Sequence, residues 1–556
     1  MIAGTSKNPL PLSDYSPGQR VFSLSLLALL IGTLSAFMGW IFLKMIAGVI
    51  NLAYYHRFQV APISIPDPLP WTTILVPVVG GLIVGFLARF GSSAIRGHGI
   101  PEAMESIVEN ESRVSPRLAW LKPLASAISI GTGGPFGAEG PIIVSGGSLG
   151  SIVGQLLPLN GDERKTCLAA GAAGGMSLIF GTPIAAVLLA VELLLFEWKP
   201  QSLVPVALAA GVAQGWRFLL IGSHPMFAMM TTRRLPSAGL VWCLPLGFLA
   251  GVLAMSLTWL VYRWEDIFRK LPFHWMWWPA LAGIPVGLIG WMDPRSLGVG
   301  YRNIRALLNG RFTAGQALRL FLAKTTIWSL ALGSGTAGGV LAPLVMIGAA
   351  AGQLAGTWIP VGTSSLWALL MMAGVMGGAM RAPMTSILFG YEVTGNSHAL
   401  LPLLITVMIA HLVCVKCVRR SIMTEKTAHR GIHIQQEMVL DVLTVRLAQD
   451  VVREMRKNPP TGEPLWPKTS PDEPWVSGNL PFMDVLEYMD QNHLDSVGVH
   501  AMDSGEFLGS ISRKDCFDFL VRARRASRVR RRMLGIRRWK GDHWKDSREG
   551  KHGKAR

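Results

Sequence analysis

Gly131-Thr132-Gly133-Gly134-Pro135-Phe136-Gly137-Ala138-Glu139-Gly140-Pro141 is answered 202 residues later by Gly333-Ser334-Gly335-Thr336-Ala337-Gly338-Gly339-Val340-Leu341-Ala342-Pro343. The register continues outward from this pair of stretches. Gly146, Gly150, Gly154 and Pro158 fall over Gly348, Gly352, Gly356 and Pro360, and Lys122 falls over Lys324. Ala170-Gly171-Ala172-Ala173-Gly174-Gly175 meets Ala373-Gly374-Val375-Met376-Gly377-Gly378, and after a short slip Pro183 and Glu192 meet Pro383 and Glu392. An ordered repeat of apolar segments broken by glycine and proline is the mark of a transporter whose site lies between two structurally repeated halves.

Composition agrees. Of 556 residues, 50% are hydrophobic and only 15% charged, a balance that suits a chain living largely in lipid. Apolar stretches recur from about residue 21 to 418, several too long or too punctuated for one straight span, so kinked and re-entrant helices are expected. The sequence therefore predicts an all-α polytopic membrane protein with two repeated, inverted halves and broken helices. Residues 1–19 form a polar leading segment, and 20–435 the membrane transport domain. Its halves run about 71–222 and 240–418, with the clearest repetition in 100–222 and 301–418 and with 240–292 expected to supply connecting helices. Residues 436–521 read as a small α/β cytoplasmic region with a hairpin at 497–512. Residues 522–556 read as a disordered tail.

That tail carries fifteen lysines and arginines against Asp542, Asp546 and Glu549, much of the net charge of +18. With only Trp539 and Trp544 available for stacking, it is expected to lie against anionic lipid and obey the positive-inside rule rather than to bind nucleic acid. Five cysteines offer no disulfide framework, and Cys414 and Cys417 lack a second pair that would complete a metal site. No phosphate-binding loop, zinc signature or nucleophile elbow occurs. No enzymatic activity, metal or cofactor is expected.

Three segments carry the chemistry. Around Glu139, glycines permit close backbone approach, and Pro141 suits the first turn of a helix. A helix N-terminus presents unpaired N–H groups and a partial positive charge, which makes an anion site without a full countercharge. A carboxylate at that turn would occupy the site, compete with incoming anions and yield when protonated, so Glu139 is the candidate gate. Gly97-His98-Gly99-Ile100-Pro101-Glu102 and Gly338-Gly339-Val340-Leu341-Ala342-Pro343 are two further helix starts of this kind. The three are expected to converge on one dehydrated anion through His98, Gly99, Ile100, Pro101, Gly140, Pro141, Val340 and Leu341.

In their order and spacing these motifs resemble the signature of the CLC chloride channels and chloride/proton exchangers, a resemblance covering essentially all of 20–435. It implies a homodimer with one anion pathway per subunit, both termini cytoplasmic, a cell membrane (bacterial inner membrane) location and Glu139 as the external gating glutamate. Several positions depart from the family pattern. His98 stands where a serine usually donates its hydroxyl to the central anion, and imidazole can also donate an N–H. Met423 stands where a tyrosine usually faces the same anion, and a thioether donates nothing. Leu341 replaces a phenylalanine, and Ala138 a basic residue beside the gate. Leu193 occupies the position of the inner proton-carrying glutamate of the exchangers, with Glu192 beside it matching a separate, structural glutamate. Leu193 tilts the expectation towards uncoupled, channel-like chloride conduction. Proton-coupled antiport along a non-standard route using Glu139 and Glu197 is the alternative, and fluoride selectivity a weaker one. Gly509-Ser510-Ile511-Ser512-Arg513-Lys514-Asp515 resembles the strand-to-helix end of a CBS module, which implies Ser512 and Asp515 as candidate nucleotide contacts.

Overall fold

The computed structural model describes residues 19–229, 234–418, 420–425, 448–449, 451–452, 474–478, 480, 482–501, 507–517 and 519. The chain divides into one compact unit spanning Asp14–Glu437 and another formed by Met438–Arg556 with Met1–Ser13.

Among the described residues the first unit is built of sixteen α-helices. The first eight are α1 (Gln19–Tyr55), α2 (Leu75–Phe90), α3 (Ile100–Glu109), α4 (Pro116–Gly131), α5 (Glu139–Gln155), α6 (Gly161–Phe180), α7 (Pro183–Ala190) and α8 (Pro200–Leu220). The second eight are α9 (Cys243–Arg269), α10 (Trp278–Met292), α11 (Tyr301–Leu308), α12 (Ala314–Gly333), α13 (Leu341–Ala355), α14 (Ser364–Met380), α15 (Pro383–Thr394) and α16 (Leu400–Cys417). Packing repeats with the order: α1 lies on α6 and α8, α9 lies on α14 and α16, and α2 lies on α10. The segment 240–292 therefore does more than connect. Its helices α9 and α10 are the second copies of α1 and α2, so the repeat reaches back to α1.

Two kinds of helix follow from the residue pattern. α1, α2, α8, α9 and α16 turn leucine, valine, phenylalanine and tryptophan outward, and each belongs to a run long and apolar enough to cross a bilayer. α5, α6, α13 and α14 are apolar or small on every face and almost wholly buried. The repeated glycines explain how such helices pack. A Cβ on Gly146 would lie 2.3 Å from the Gly171 carbonyl oxygen, and one on Gly150 2.0 Å from that of Cys167, so α5 and α6 touch backbone to backbone. Gly352 meets the Trp367 carbonyl oxygen in the same way between α13 and α14, its Cβ falling 2.4 Å away.

Both halves break their chain after α6 and α14 and restart it at a proline, leaving the first amides of α7 and α15 without intrahelical acceptors. The acids shared by the two halves fill these gaps crosswise. Glu192, just past α7, accepts from the Met384 amide (3.0 Å), the Thr385 amide (2.9 Å) and the Thr385 hydroxyl (2.6 Å) at the start of α15. Glu392, on α15, accepts from the amides of Ile184 (3.0 Å) and Ala185 (2.8 Å) at the start of α7. Each helix is capped from the far end of the other, so the two run antiparallel and the halves are inverted.

The second unit holds a small sheet of β1 (Trp475–Ser477), β2 (Ser496–His500) and β3 (Phe507–Ser512), with α17 (Phe482–Gln491) crossing between the first two. β1 pairs parallel with β2, and β2 pairs antiparallel with β3 over a core that includes Val476, Phe482, Val497, Val499 and Ile511. The expected hairpin is present, its turn at 503–505 lying outside the described residues. Ser512 and Asp515 bond to each other: the Ser512 hydroxyl and amide reach the Asp515 carboxylate at 2.5 and 3.1 Å, and the Asp515 amide reaches the hydroxyl at 3.2 Å. This is a capping box for the helical residues that follow β3, and it accounts for both side chains locally. The expected tail at 522–556 lies outside the described residues.

The crossed caps set a stability test. Removing a carboxylate that satisfies buried helix amides should cost about 1.5–3 kcal/mol. Glu192→Ala, which loses three bonds, should lower the thermal unfolding midpoint of the detergent-solubilised protein more than Glu392→Ala, which loses two.

Candidate functional site

Four helix starts meet in the middle of the first unit. The segment before α5 and the segment before α13 join through a two-residue antiparallel bridge, in which the Gly137 amide donates to the Gly339 carbonyl (3.1 Å) and the Gly339 amide to the Gly137 carbonyl (2.9 Å). Gly140, in the first turn of α5, sits under the His98 carbonyl and beside Gly339. A Cβ there would lie 2.1 Å from the His98 oxygen and 3.1 Å from the Gly339 Cα. Gly99 caps α3 at φ +94°, and a side chain there would strike Val144 of α5. α3, α5 and α13 thus converge as expected, with Ile100, Pro101, Pro141, Val340 and Leu341 all buried at their starts.

The fourth start is α11, and the sequence reading missed it. Its cap, Gly300, repeats Gly99 in the same left-handed conformation at φ +75°. The signal was available, because Gly298-Val299-Gly300 echoes Gly97-His98-Gly99. Two buried lysines hold these starts in place. Lys122 on α4 donates to the carbonyls of Ile95 (2.8 Å) and Gly97 (2.7 Å) ahead of α3, and Lys324 on α12 donates to those of Ser296 (3.0 Å) and Gly298 (2.7 Å) ahead of α11. Tying back the carbonyls leaves the amide ends of the helices facing the centre, and it places positive charge near them.

Glu139 occupies that centre. Its side chain is buried and folds back over its own turn, with Oε2 lying where a Cβ of Gly137 would be (1.7 Å) and 2.8 Å from one on Gly339. Oε1 accepts from the Tyr301 hydroxyl of α11 at 3.2 Å, and the Ala342 amide of α13 also acts on the carboxylate. Among the described residues no direct hydrogen-bond donor is paired with Oε2. A carboxylate oxygen therefore fills a seat walled by two glycines and by helix amides, which is a site shaped for one small anion.

On the other side of this centre a cavity of about 610 Å³ leads in, lined by Arg96, Gly97, His98, Tyr262, Gly335 and Ile422 among others. His98 is 4% exposed and forms its inner end. Arg96 stacks on Trp275, 4.5 Å from the ring centre, at the cavity wall. Met423 is fully buried and does not line this cavity. Its neighbour Ile422 does, and the Tyr262 hydroxyl of α9 donates to the Ile422 carbonyl at 2.8 Å.

Leu193 is fully buried among Val191, Leu194 and Leu195, and Glu192 is committed to capping α15. Glu197 lies beyond the membrane helices, where its carboxylate meets Lys199 at 3.0 Å and Lys165 at 3.7 Å and accepts from the Ser202 hydroxyl at 3.0 Å. Partial burial pushes its pKa up, but the two ammonium groups and the hydroxyl outweigh that and hold it below the usual carboxylate range. Among the described residues no cluster of three or more His, Cys, Asp or Glu is arranged to hold a metal.

Comparison with known proteins places the chain. Residues 80–415 match the family described as voltage gated chloride channel, more than half of the chain. The H(+)/Cl(-) exchange transporter ClcA of Salmonella arizonae is 29% identical over 413 residues, covering 70% of this chain and 85% of the relative. Among solved structures, a slow cyanobacterial Cl-/H+ antiporter superposes with a TM-score of 0.66 at 22% identity, covering 75% of this chain and 99% of the other. A CLC-type fluoride/proton antiporter superposes with a TM-score of 0.60 at 22% identity, covering 72% of this chain and 97% of the other.

The twin lysines give the test of this geometry. Lys122→Met or Lys324→Met leaves two loop carbonyls without their donor, at about 1–3 kcal/mol for each stranded group. Both variants should lower the unfolding midpoint, and by similar amounts because the two sites are copies.

Proposed function

The chain belongs to the voltage gated chloride channel family, and on that footing we propose that it exchanges chloride for protons across a cell membrane, with Glu139 as the gate. It is a multi-pass membrane protein, and the transport of chloride follows from the family. The observation that carries the reading is the seat of Glu139: a carboxylate stands in an anion-shaped hollow at the meeting of helix N-termini. Chloride and the ionised side chain compete for that hollow. A proton on Glu139 removes its charge, weakens its hold on the amides and lets the side chain leave the hollow to chloride, and exchange follows when the proton passes on to the side from which that chloride came. On the other side, chloride reaches the amides of α3 through the cavity that ends at His98.

Proton coupling is preferred over the channel-like conduction suggested by Leu193, because the ClcA relative carries H(+)/Cl(-) exchange in its name. Leu193 then means that the proton takes another inner route. A homodimer with one pathway per subunit, cytoplasmic termini and a bacterial inner membrane belong to the same reading, the last supported by the enterobacterial source of that relative.

The experiment is chloride efflux from proteoliposomes with external pH recorded at the same time. The native chain should move protons in fixed proportion to chloride, and Glu139→Ala should keep chloride flux while losing at least about nine-tenths of the proton flux. Chloride flux without protons in the native chain would make it a channel, and no flux of either ion would end the transport reading. A second variant probes the seat itself. Gly137→Ala puts a carbon 1.7 Å from the present position of Oε2, so the hollow is filled whether Glu139 is in or out. Chloride efflux should fall by about tenfold or more in a protein that still elutes as native.

A further inference from the structure

Three polar residues of the central site break the symmetry of the repeat: His98, answered by Val299, and Glu139 and Tyr301. The position answering Glu139 in the second half is Leu341, and the position answering Tyr301 in the first half is Ile100, both apolar and buried. Of these, Glu139 and Tyr301 touch each other, through the 3.2 Å bond from the Tyr301 hydroxyl to Glu139 Oε1. Everything about Tyr301 holds that hydroxyl in place. Its residue is the first of α11, whose approach is tied by Lys324. Its ring is wedged between Phe180, edge-on at 6.2 Å between centroids, and Phe227, tilted at 5.9 Å, with Phe389 closing behind Phe180 at 5.0 Å. A ring so packed has little freedom to follow the carboxylate when it leaves.

Resting on the gate role proposed for Glu139, we infer that Tyr301 is a positioning residue that latches the gate shut, and so sets the proton and chloride concentrations at which transport begins. The physical reason is a difference between two states. A phenol donates a far stronger hydrogen bond to an ionised carboxylate than to a protonated one, and in a buried site no water replaces it. The bond is therefore made with the seated, charged side chain and is lost with the neutral or displaced one. It favours the closed state and opposes both events that open it, protonation and displacement by an anion. The other charged groups that act on the pair are Lys324 from α12 and Arg217 from α8, with His98 packed above Gly140 and Lys122 behind it. All four stay in place when only the phenol oxygen is removed.

Tyr301→Phe is the test, since it keeps the ring and deletes the donor. In full-length protein reconstituted in liposomes, chloride efflux is measured against pH and against external chloride for the native chain, Tyr301→Phe, Glu139→Gln and the double variant. A lost hydrogen bond to a charged group is about a tenfold change in equilibrium. The pH of half-maximal transport should therefore rise by about one unit in Tyr301→Phe. The chloride concentration for half-maximal transport should fall by up to about tenfold, while the maximal rate at low pH changes by less than about twofold. In the Glu139→Gln background, where no charged carboxylate remains to be latched, Tyr301→Phe should change nothing further. Native-like pH and chloride profiles in Tyr301→Phe would overturn the latch while leaving the gate intact. Equal shifts with and without Glu139 would also overturn it, by showing that Tyr301 acts on the anion path and not on the gate. A Glu139→Gln protein whose pH profile matches the native one would overturn the gate reading itself, and the latch with it.

Discussion

A helix that begins inside a membrane exposes amides that water cannot reach, and the arrangement of this protein follows from how those amides are used. The bridge between Gly137 and Gly339 is the keystone. It satisfies the two chains that approach the centre, brings them within backbone contact, and leaves the first turns of α5 and α13 facing a common hollow. Glycine is required at each point because any side chain would enter the hollow or the neighbouring backbone. The surrounding tight packing of α5 on α6 and α13 on α14, again through glycine, keeps the two half-helices from drifting apart.

The duplication supplies scaffold, and departures from it supply function. Lysines, glycine caps, reciprocal glutamates and proline-led helices occur twice and do the same job in each half. A strictly two-fold site would bind an anion symmetrically and have nothing to gate it. A carboxylate from one half meets a phenol from the other, at positions whose counterparts are Leu341 and Ile100, and under the proposed function this pair makes the site respond to protons. The buried lysines bias that site without entering it, since their own bonds go to loop carbonyls.

The departures from the family pattern weigh differently in three dimensions than in one. Leu193 offers no proton-carrying group, and Glu197 is held by ion pairs to Lys165 and Lys199. Met423 is buried away from the cavity, while the phenol of Tyr262 on α9 lines it and anchors the chain at Ile422. His98 gives the cavity a buried ring where a hydroxyl is usual in the family pattern.

The sequence by itself determined the architecture: the 202-residue repeat, the broken apolar segments and the three Gly/Pro helix starts specify two halves whose helix starts meet, because those features are local and periodic. It also singled out Glu139, since a lone acid between glycines in an apolar run has few other uses. What it left open were the pairings that depend on distance in space. That Glu192 caps the partner half's helix, that Lys122 and Lys324 clamp loops some 25 to 28 residues away, and that α9 and α10 copy α1 and α2 are results of packing with little trace in residue type. Tyr301 is the plainest case. Nothing in a tyrosine at the start of a short helix distinguishes a lipid anchor from a hydrogen-bond donor, and only the fold, by bringing α11 to the first turn of α5 across 162 residues of chain, decides that it touches the gate.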